Sequence, residues 1–494
     1  MRSRYDDYRI DFTQDCVFGQ IGLSVSLDSL ILFSNTVFNY CNLMGIQIAI
    51  LGYDSSKWSQ KFCLEVVLER LTELGLETHF IDQACPSAAL SWATNRVWLD
   101  SEKSRLTVGM YFATDDTQSD TLSIHFRHHT GLPFTEQDVA EVVSQSFKLQ
   151  IVELGEIMQP VPEAIPLDRF SKSIIGTKLL DSKLLSKTTV SFDNMFGASE
   201  ELIQLLRKDL KFGGQLVNKA SENLRIESYR SIPTERWLEW KAPTKKEMGK
   251  IRDSYFHGAV SNAGDQMGVW DMRQGIEISS SGVAMIFLKY YGEVLKKKGT
   301  VIISKLASDK VVDTAKKLGF KVHLIDSGLD AFSQALQEVG KRSALMFMDE
   351  LGRFWFKGQI EEPNGVVALL LLTQICERYK LSPGQILDSL ATKSLDRNYV
   401  YGRLGVPIEM KSKNQLEEIL QRDLNFSEED IGNTTTFRTD YGAKVCLVYD
   451  KKSQITLIEI ESQDESTTRH VVQIIQNNCY DPEKVDEEIN SISP

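Results

Sequence analysis

Tyr255-Phe256-His257-Gly258-Ala259-Val260, broken by Ser261-Asn262-Ala263-Gly264-Asp265-Gln266 and resumed by Met267-Gly268-Val269-Trp270-Asp271, is the stretch that decides the fold of this chain. An apolar run that stops in a tight polar loop is a strand delivering that loop to a sheet edge, where open α/β sheets place ligands. Downstream, Val301-Ile302-Ile303 predicts a strand, and Ser308 to Leu318 a helix with a serine start and a Gly319 stop. Lys321-Val322-His323-Leu324-Ile325 predicts a second strand. Leu345-Met346-Phe347-Met348 then runs into Asp349-Glu350-Leu351-Gly352-Arg353-Phe354. Two polar loops at strand ends, separated by a crossover unit, frame a site.

Outward from this block, the same pattern occurs near the start of the chain. Gly45 to Ile50 predicts a strand, Gly52-Tyr53-Asp54-Ser55-Ser56 a turn and Phe62 to Leu74 a helix stopped at Gly75. Leu76-Glu77-Thr78-His79-Phe80-Ile81-Asp82 parallels Phe320-Lys321-Val322-His323-Leu324-Ile325-Asp326, which marks an internal βαβ repeat. A weaker copy begins at Thr189-Val190-Ser191-Phe192-Asp193, with Ser199 placed to cap a helix from Glu200 to Leu206. Thr135 with Asp138, and Thr244 with Glu247, open further helices, and Asn364 to Tyr379 is a buried one. From about residue 400 the texture changes to alternating strands at Lys444 to Val448 and Ile455 to Ile460, with a helix from about Thr467 to Gln476. The expected fold class is α/β, with three repeated mixed α/β domains and a smaller α+β C-terminal domain. The expected boundaries are 1–165, 166–296, 297–400 and 401–494, the first drawn at the prolines from Pro160 to Pro166.

At 494 residues, and about 150 residues per domain, three or four domains are the prior. A net charge of −12 argues against a nucleic-acid partner, because phosphate backbones select positive faces. The seven cysteines are scattered, with no CxxC pair, as in a protein that keeps its thiols reduced. The longest apolar run, Val366 to Leu372, is too short to span a bilayer, and no apolar stretch of a secretory signal follows Met1. A cytoplasmic protein without a membrane partner is expected.

The order of the loops resembles that of the phosphohexomutases, the phosphoglucomutase and phosphomannomutase superfamily. The resemblance implies a phosphoserine that exchanges its phosphoryl group with a hexose phosphate, assisted by a divalent metal. The family's serine lies in Thr-Ala-Ser-His-Asn-Pro after a Gly-Ile-Met-Ile strand. Here Gly109-Met110-Tyr111-Phe112 leads into Ala113-Thr114-Asp115-Asp116-Thr117-Gln118, which places Asp115 at the serine. Aspartate carries phosphate in other enzyme classes, but paired acids in a turn are more simply solvated, and loss of the nucleophile is expected.

The family's metal loop, Asp-x-Asp-x-Asp-Arg, aligns with Ser261 to Gln266, so Asp265 is the sole retained ligand. A hard cation needs several oxygen ligands and draws affinity from their charge, so no metal site is expected here. The sugar loop Gly-Glu-Glu-Ser-Gly-His resembles Met348 to Arg353; Asp349 and Glu350 remain as candidate substrate-binding acids or as exposed carboxylates of a strand-end turn. In place of the family's Arg-Pro-Ser-Gly-Thr-Glu-Pro phosphate cradle stand Tyr449-Asp450-Lys451-Lys452-Ser453-Gln454, where Lys451 and Lys452 are the only candidate phosphate-binding groups. His128 and His129 are adjacent and have no partner at ligand spacing, so they do not point to a metal.

What survives is what folding requires, and what changed is what catalysis requires. The expected protein is phosphohexomutase-like and non-catalytic, needs no cofactor and acts as a binding, scaffold or regulatory partner of another protein. The alternative is an active or rewired hexose-phosphate mutase, with Mg²⁺ as cofactor and a phosphosugar as ligand.

Overall fold

The computed structural model describes residues 11–12, 16–114, 121–145, 161–195, 197–217, 254–391, 400–407, 427–428, 434–438, 444–450 and 455–462, with residues 418, 470 and 473. These fall into two compact units, one running to residue 387 and the other from residue 388 onward.

The first unit is built on one strand order used three times. In the first sheet Ile46–Tyr53 pairs in parallel with Glu77–Ile81 on one side and Leu106–Thr114 on the other, and Leu106–Thr114 pairs antiparallel with Thr121–Arg127. In the second sheet Thr189–Asp193 lies in parallel between Gly213–Val217 and Phe256–Val260, and Phe256–Val260 pairs antiparallel with Met267–Asp271. In the third Thr300–Ser304 lies in parallel between Lys321–Ile325 and Ala344–Met348, and Ala344–Met348 pairs antiparallel with Phe354–Phe356. The string similarity between residues 76–82 and 320–326 thus falls on equivalent strands. Parallel neighbours require a crossover, and each copy supplies a helix between its first two strands.

Strands covered on both faces read as continuous apolar runs. In Ile46–Tyr53, Ile48 and Ile50 enter one core with Tyr111, while Ala49 and Leu51 enter another with Val108, Met110 and Phe112. The helix Gly365–Tyr379 is apolar on all sides as far as Leu372, and its residues Gly365 to Glu377 are all buried. It packs on Phe256–Val260, Met267–Asp271 and Phe354–Phe356, so it joins the second and third sheets. Asn364 caps it by accepting from Val367 N at 3.1 Å. Thr135 and Asp138 form the expected capping box. Ser199 departs from expectation: the helix Glu200–Leu210 begins after it, but its hydroxyl makes no capping bond. The helix expected at Thr244 lies outside the described residues.

A buried ion pair ties the first sheet to the segment after Phe354–Phe356. Arg127 Nη2 donates to Glu362 Oε1 at 2.6 Å, and the two side chains are 2% and 0% exposed. Ser87 and Ser91 donate to the same carboxylate at 3.1 and 3.2 Å, and Arg127 Nε donates to Ser91 Oγ at 3.0 Å.

The second unit holds an antiparallel sheet in the order Val400–Pro407, Ile455–Ser462, Lys444–Asp450, Thr434–Arg438 and Ser427–Glu428. Val445, Leu447, Phe437 and Ile460 are buried in it. Apart from residues 470 and 473, the helix expected at Thr467 lies outside the described residues. Six cysteines, all except Cys479, are described as buried and unbridged. Among the described residues no helix is long and apolar enough to cross a membrane.

Glu362→Ala leaves Arg127 charged and buried without its partner, at an expected cost of about 3–5 kcal/mol. The paired change Arg127→Met with Glu362→Leu should recover most of that loss. Thermal melting of the three variants beside the wild type checks both expectations.

Candidate functional site

Three loops from three sheets converge. The first is the turn after Ile46–Tyr53, where Asp54 is fully buried. Its carboxylate accepts from Ser56 N at 2.8 Å, Thr114 N at 2.9 Å and Thr114 Oγ1 at 3.1 Å, and from the amide of Asn262. Asn262 Nδ2 also donates to Thr114 O at 3.3 Å, and Ser55 Oγ donates to Asn262 Oδ1 at 3.4 Å. The last described residue before Asp115 is therefore held between the Asp54 turn and the Ser261–Gln266 loop. Asp115 itself lies outside the described residues, as do Lys451 and Lys452.

The second loop, 261–266, closes on itself: Ser261 Oγ donates to Asp265 Oδ1 at 2.8 Å and accepts from Gln266 N at 3.1 Å. Three successive carbonyls then accept backbone amides from three other segments. Asn262 O takes Ala198 N at 2.9 Å, Ala263 O takes Ser87 N at 2.8 Å, and Gly264 O takes Gly365 N at 2.8 Å. Ser87 and Gly365 open helices, where intrahelical partners are missing, and Ala198 lies two residues before one.

The third loop follows Ala344–Met348. Asp349 Oδ1 accepts from Leu351 N at 3.0 Å and Arg353 N at 2.9 Å, which turns the chain back sharply. Gly352 sits at φ +79°, and a Cβ there would lie 2.3 Å from Met267 O. Only glycine fits this crossing, where Met267 N donates to Gly352 O at 3.0 Å. The turn brings Arg353 Nε to 2.7 Å from Asp265 Oδ2 and Arg353 Nη1 to 3.4 Å from Asp349 Oδ2. Glu350 accepts from Ser304 Oγ at 2.6 Å and from the Ser327 hydroxyl.

The charges here are set by burial and by one guanidinium. Burial alone would raise the Asp265 carboxyl, but Arg353 and the Ser261 hydroxyl outweigh it and hold it below the usual range. Asp349 goes the other way: burial and then the neighbouring Glu350 push it well up, and Arg353 offsets only part of this.

Asp265, Asp349 and Glu350 are thus gathered into one region, and all three are buried. The alternative of exposed turn carboxylates at Asp349 and Glu350 is corrected: their strand ends inside the junction of the loops. The divalent metal that the resemblance implies does not fit these residues. Both Asp265 oxygens are engaged, Ser261 and Ala263 stand where acids would be needed, and the loop carbonyls already accept amides. Among the described residues no three His, Cys, Asp or Glu side chains gather as ligands. His128 pairs with Asp138 at 3.1 Å and His129 packs edge-on against Trp98, so the two histidines serve separate contacts.

This arrangement of sheets has counterparts among solved structures. A protein of Thermus thermophilus put forward as a phosphomannomutase superposes with a TM-score of 0.73 at 16% identity, covering 95% of this chain and 98% of that one. Parafusin, a phosphoglucomutase from Paramecium, gives 0.73 at 14%, covering 96% and 98% in its open form. The fold is that of the phosphohexomutases. A phosphoglucomutase/phosphomannomutase family protein of Burkholderia thailandensis gives 0.71 at 13%, covering 94% and 96%. No protein-family model and no curated protein sequence matches the chain. The phosphohexomutase fold is therefore established by shape, at identities that leave activity to chemical argument.

Sequence reasoning missed the Arg353–Asp265 pair and the Asn262–Asp54–Thr114 junction. The available signal was a charge imbalance: one acid left in an otherwise neutral loop, and one arginine closing an acidic loop.

A carboxyl raised above its unfolded value binds more protons in the native state, so its stability contribution is lost as pH rises from about 4, where an unfolded aspartate titrates. Asp349→Asn should remove this slope. Relative to the variant, the wild type should lose melting temperature as pH rises from 4 towards neutrality, which parallel melts across a pH series would read.

Proposed function

We propose that this chain uses the phosphohexomutase scaffold, in its four-module form, without phosphohexomutase chemistry, as a cytoplasmic binding, scaffold or regulatory partner of another protein. One observation carries the proposal: each described acid of the candidate loops is engaged by a donor of the protein itself. Asp265 holds Arg353 and Ser261, Glu350 holds Ser304 and Ser327, and Asp349 holds two backbone amides. An acid that serves a metal or a sugar hydroxyl must keep a lone pair directed at it in a site that substrate can enter. The sequence adds Asp115 at the phosphoserine position and no phosphate cradle ahead of Ile455.

The energetic case is cumulative. Removing one electrostatic partner of a transition state costs about 3 kcal/mol, a factor of roughly 10² to 10³ in rate, and here several are missing together. Purified protein given glucose 1-phosphate or mannose 1-phosphate, Mg²⁺ and a bisphosphate primer should show no interconversion above an Asp115→Ala control. Turnover that the substitution abolishes would replace this proposal with an active mutase in which Asp115 carries the phosphoryl group. Recovery of one protein in fixed stoichiometry from native lysate would supply the partner.

A further inference from the structure

We infer that Arg353 is a built-in cation, standing where a divalent metal would balance the charge of these loops, and that it excludes such a metal together with the acids lacking at 261 and 263. The inference concerns the loops of the proposed function, but it requires no assumption about turnover.

Geometry supports a specific placement rather than an incidental surface pair. Arg353 follows the turn whose two amides bind Asp349, and its backbone bridges to Gln266, inside the second loop. Its starting point is thus fixed to both loops. From there one guanidinium reaches two carboxylates, Asp265 at 2.7 Å and Asp349 at 3.4 Å. The side chains are 16% exposed for Arg353, 8% for Asp265 and 0% for Asp349. Guanidinium is permanently charged, planar and weakly hydrated, which suits a cation kept this far from water. Glu350 adds a third buried acid beside Asp349.

A purely structural ion pair and a stand-in cation differ in what happens when the arginine is removed. In Arg353→Ala, Asp265 and Asp349 are left facing space vacated by the guanidinium. Both are hard oxygen donors, and a small divalent ion is the compact way to balance them. An ordinary ion pair would be destabilised by the same change with no response to metal.

The experiment is a thermal melt of the wild type, Arg353→Ala and the double variant Arg353→Ala with Asp265→Asn. Each is measured in chelator and in millimolar MgCl₂, CaCl₂ or MnCl₂ at matched ionic strength. The wild type should be indifferent to all three salts. Arg353→Ala should melt lower in chelator, and at least one ion should raise it by roughly 5 °C, the response of a large chain whose site is filled about a hundredfold above its Kd. The double variant should lose that response.

An Arg353→Ala protein that folds only when produced with the ion would support the inference equally. It is overturned if Arg353→Ala is unmoved by every ion, or stays unfolded with and without them. It is also overturned if the wild type responds as strongly, or if the response persists in the double variant. No mutase activity enters this measurement, so its failure and that of the proposed function are separate results.

Discussion

Three carbonyls in a row, those of Asn262, Ala263 and Gly264, accept amides from Ala198, Ser87 and Gly365. Ser87 opens a helix over the first sheet, Ala198 precedes a helix of the second, and Gly365 opens the helix that joins the second sheet to the third. Helix starts carry amides with no intrahelical acceptor, and burying them unpaired is costly. The loop 261–266 answers that need for Ser87 and Gly365 and also pairs the Ala198 amide ahead of its helix, so the placement of the sheets in the first unit depends on its path. Only main-chain atoms take part in these three bonds.

Charge constrains the same region from the other side. Asp54, Asp265, Asp349, Glu350 and Glu362 are all buried in the first unit. Each has a compensating arrangement, and three of these use arginine: Arg127 for Glu362, and Arg353 for both Asp265 and Asp349. Desolvating an ion pair consumes much of what its attraction returns, so such pairs add little net stability, yet losing one partner is severe. They act as locks on position. Arg127 and Glu362 fix the 358–364 segment to the first sheet, and Arg353 fixes the third loop to the second.

The βαβ units of the first unit were legible because they follow from periodicity and punctuation. Apolar runs such as Val301-Ile302-Ile303, a serine before a helix and a Leu-Gly after it are local signals, and the repeat of residues 76–82 at 320–326 linked two copies without any contact being known. Where the chain follows a local rule loosely, detail was lost, as at Ser199, whose hydroxyl does not cap its helix. The site was legible only as an alignment of loops. Which donor serves Asp265 depends on a residue 88 positions away, and nothing in a one-dimensional pattern reports that Arg353 points there. Burial of Asp349 and Glu350 is likewise set by packing between sheets, while their sequence context alone fits an exposed turn equally well.

The 261–266 loop separates backbone from side-chain duties. Had the 261–266 loop been held by carboxylates around a metal, replacing them would have loosened the junction of three sheets. Its hold runs through carbonyls that any sequence supplies, subject to a residue at position 264 that tolerates φ +74°, where glycine remains. Serine at 261 then contributes its hydroxyl to Asp265 and Gln266 N, and asparagine at 262 contributes its amide to Asp54. These neutral groups satisfy local partners without bringing further charge into a buried place. The one acid of this loop, Asp265, is paired with a cation, and a turn crossing at Gly352 delivers Arg353 to it. Main-chain geometry therefore preserves the fold, and the remaining side chains are chosen so that no buried charge at this junction stands alone.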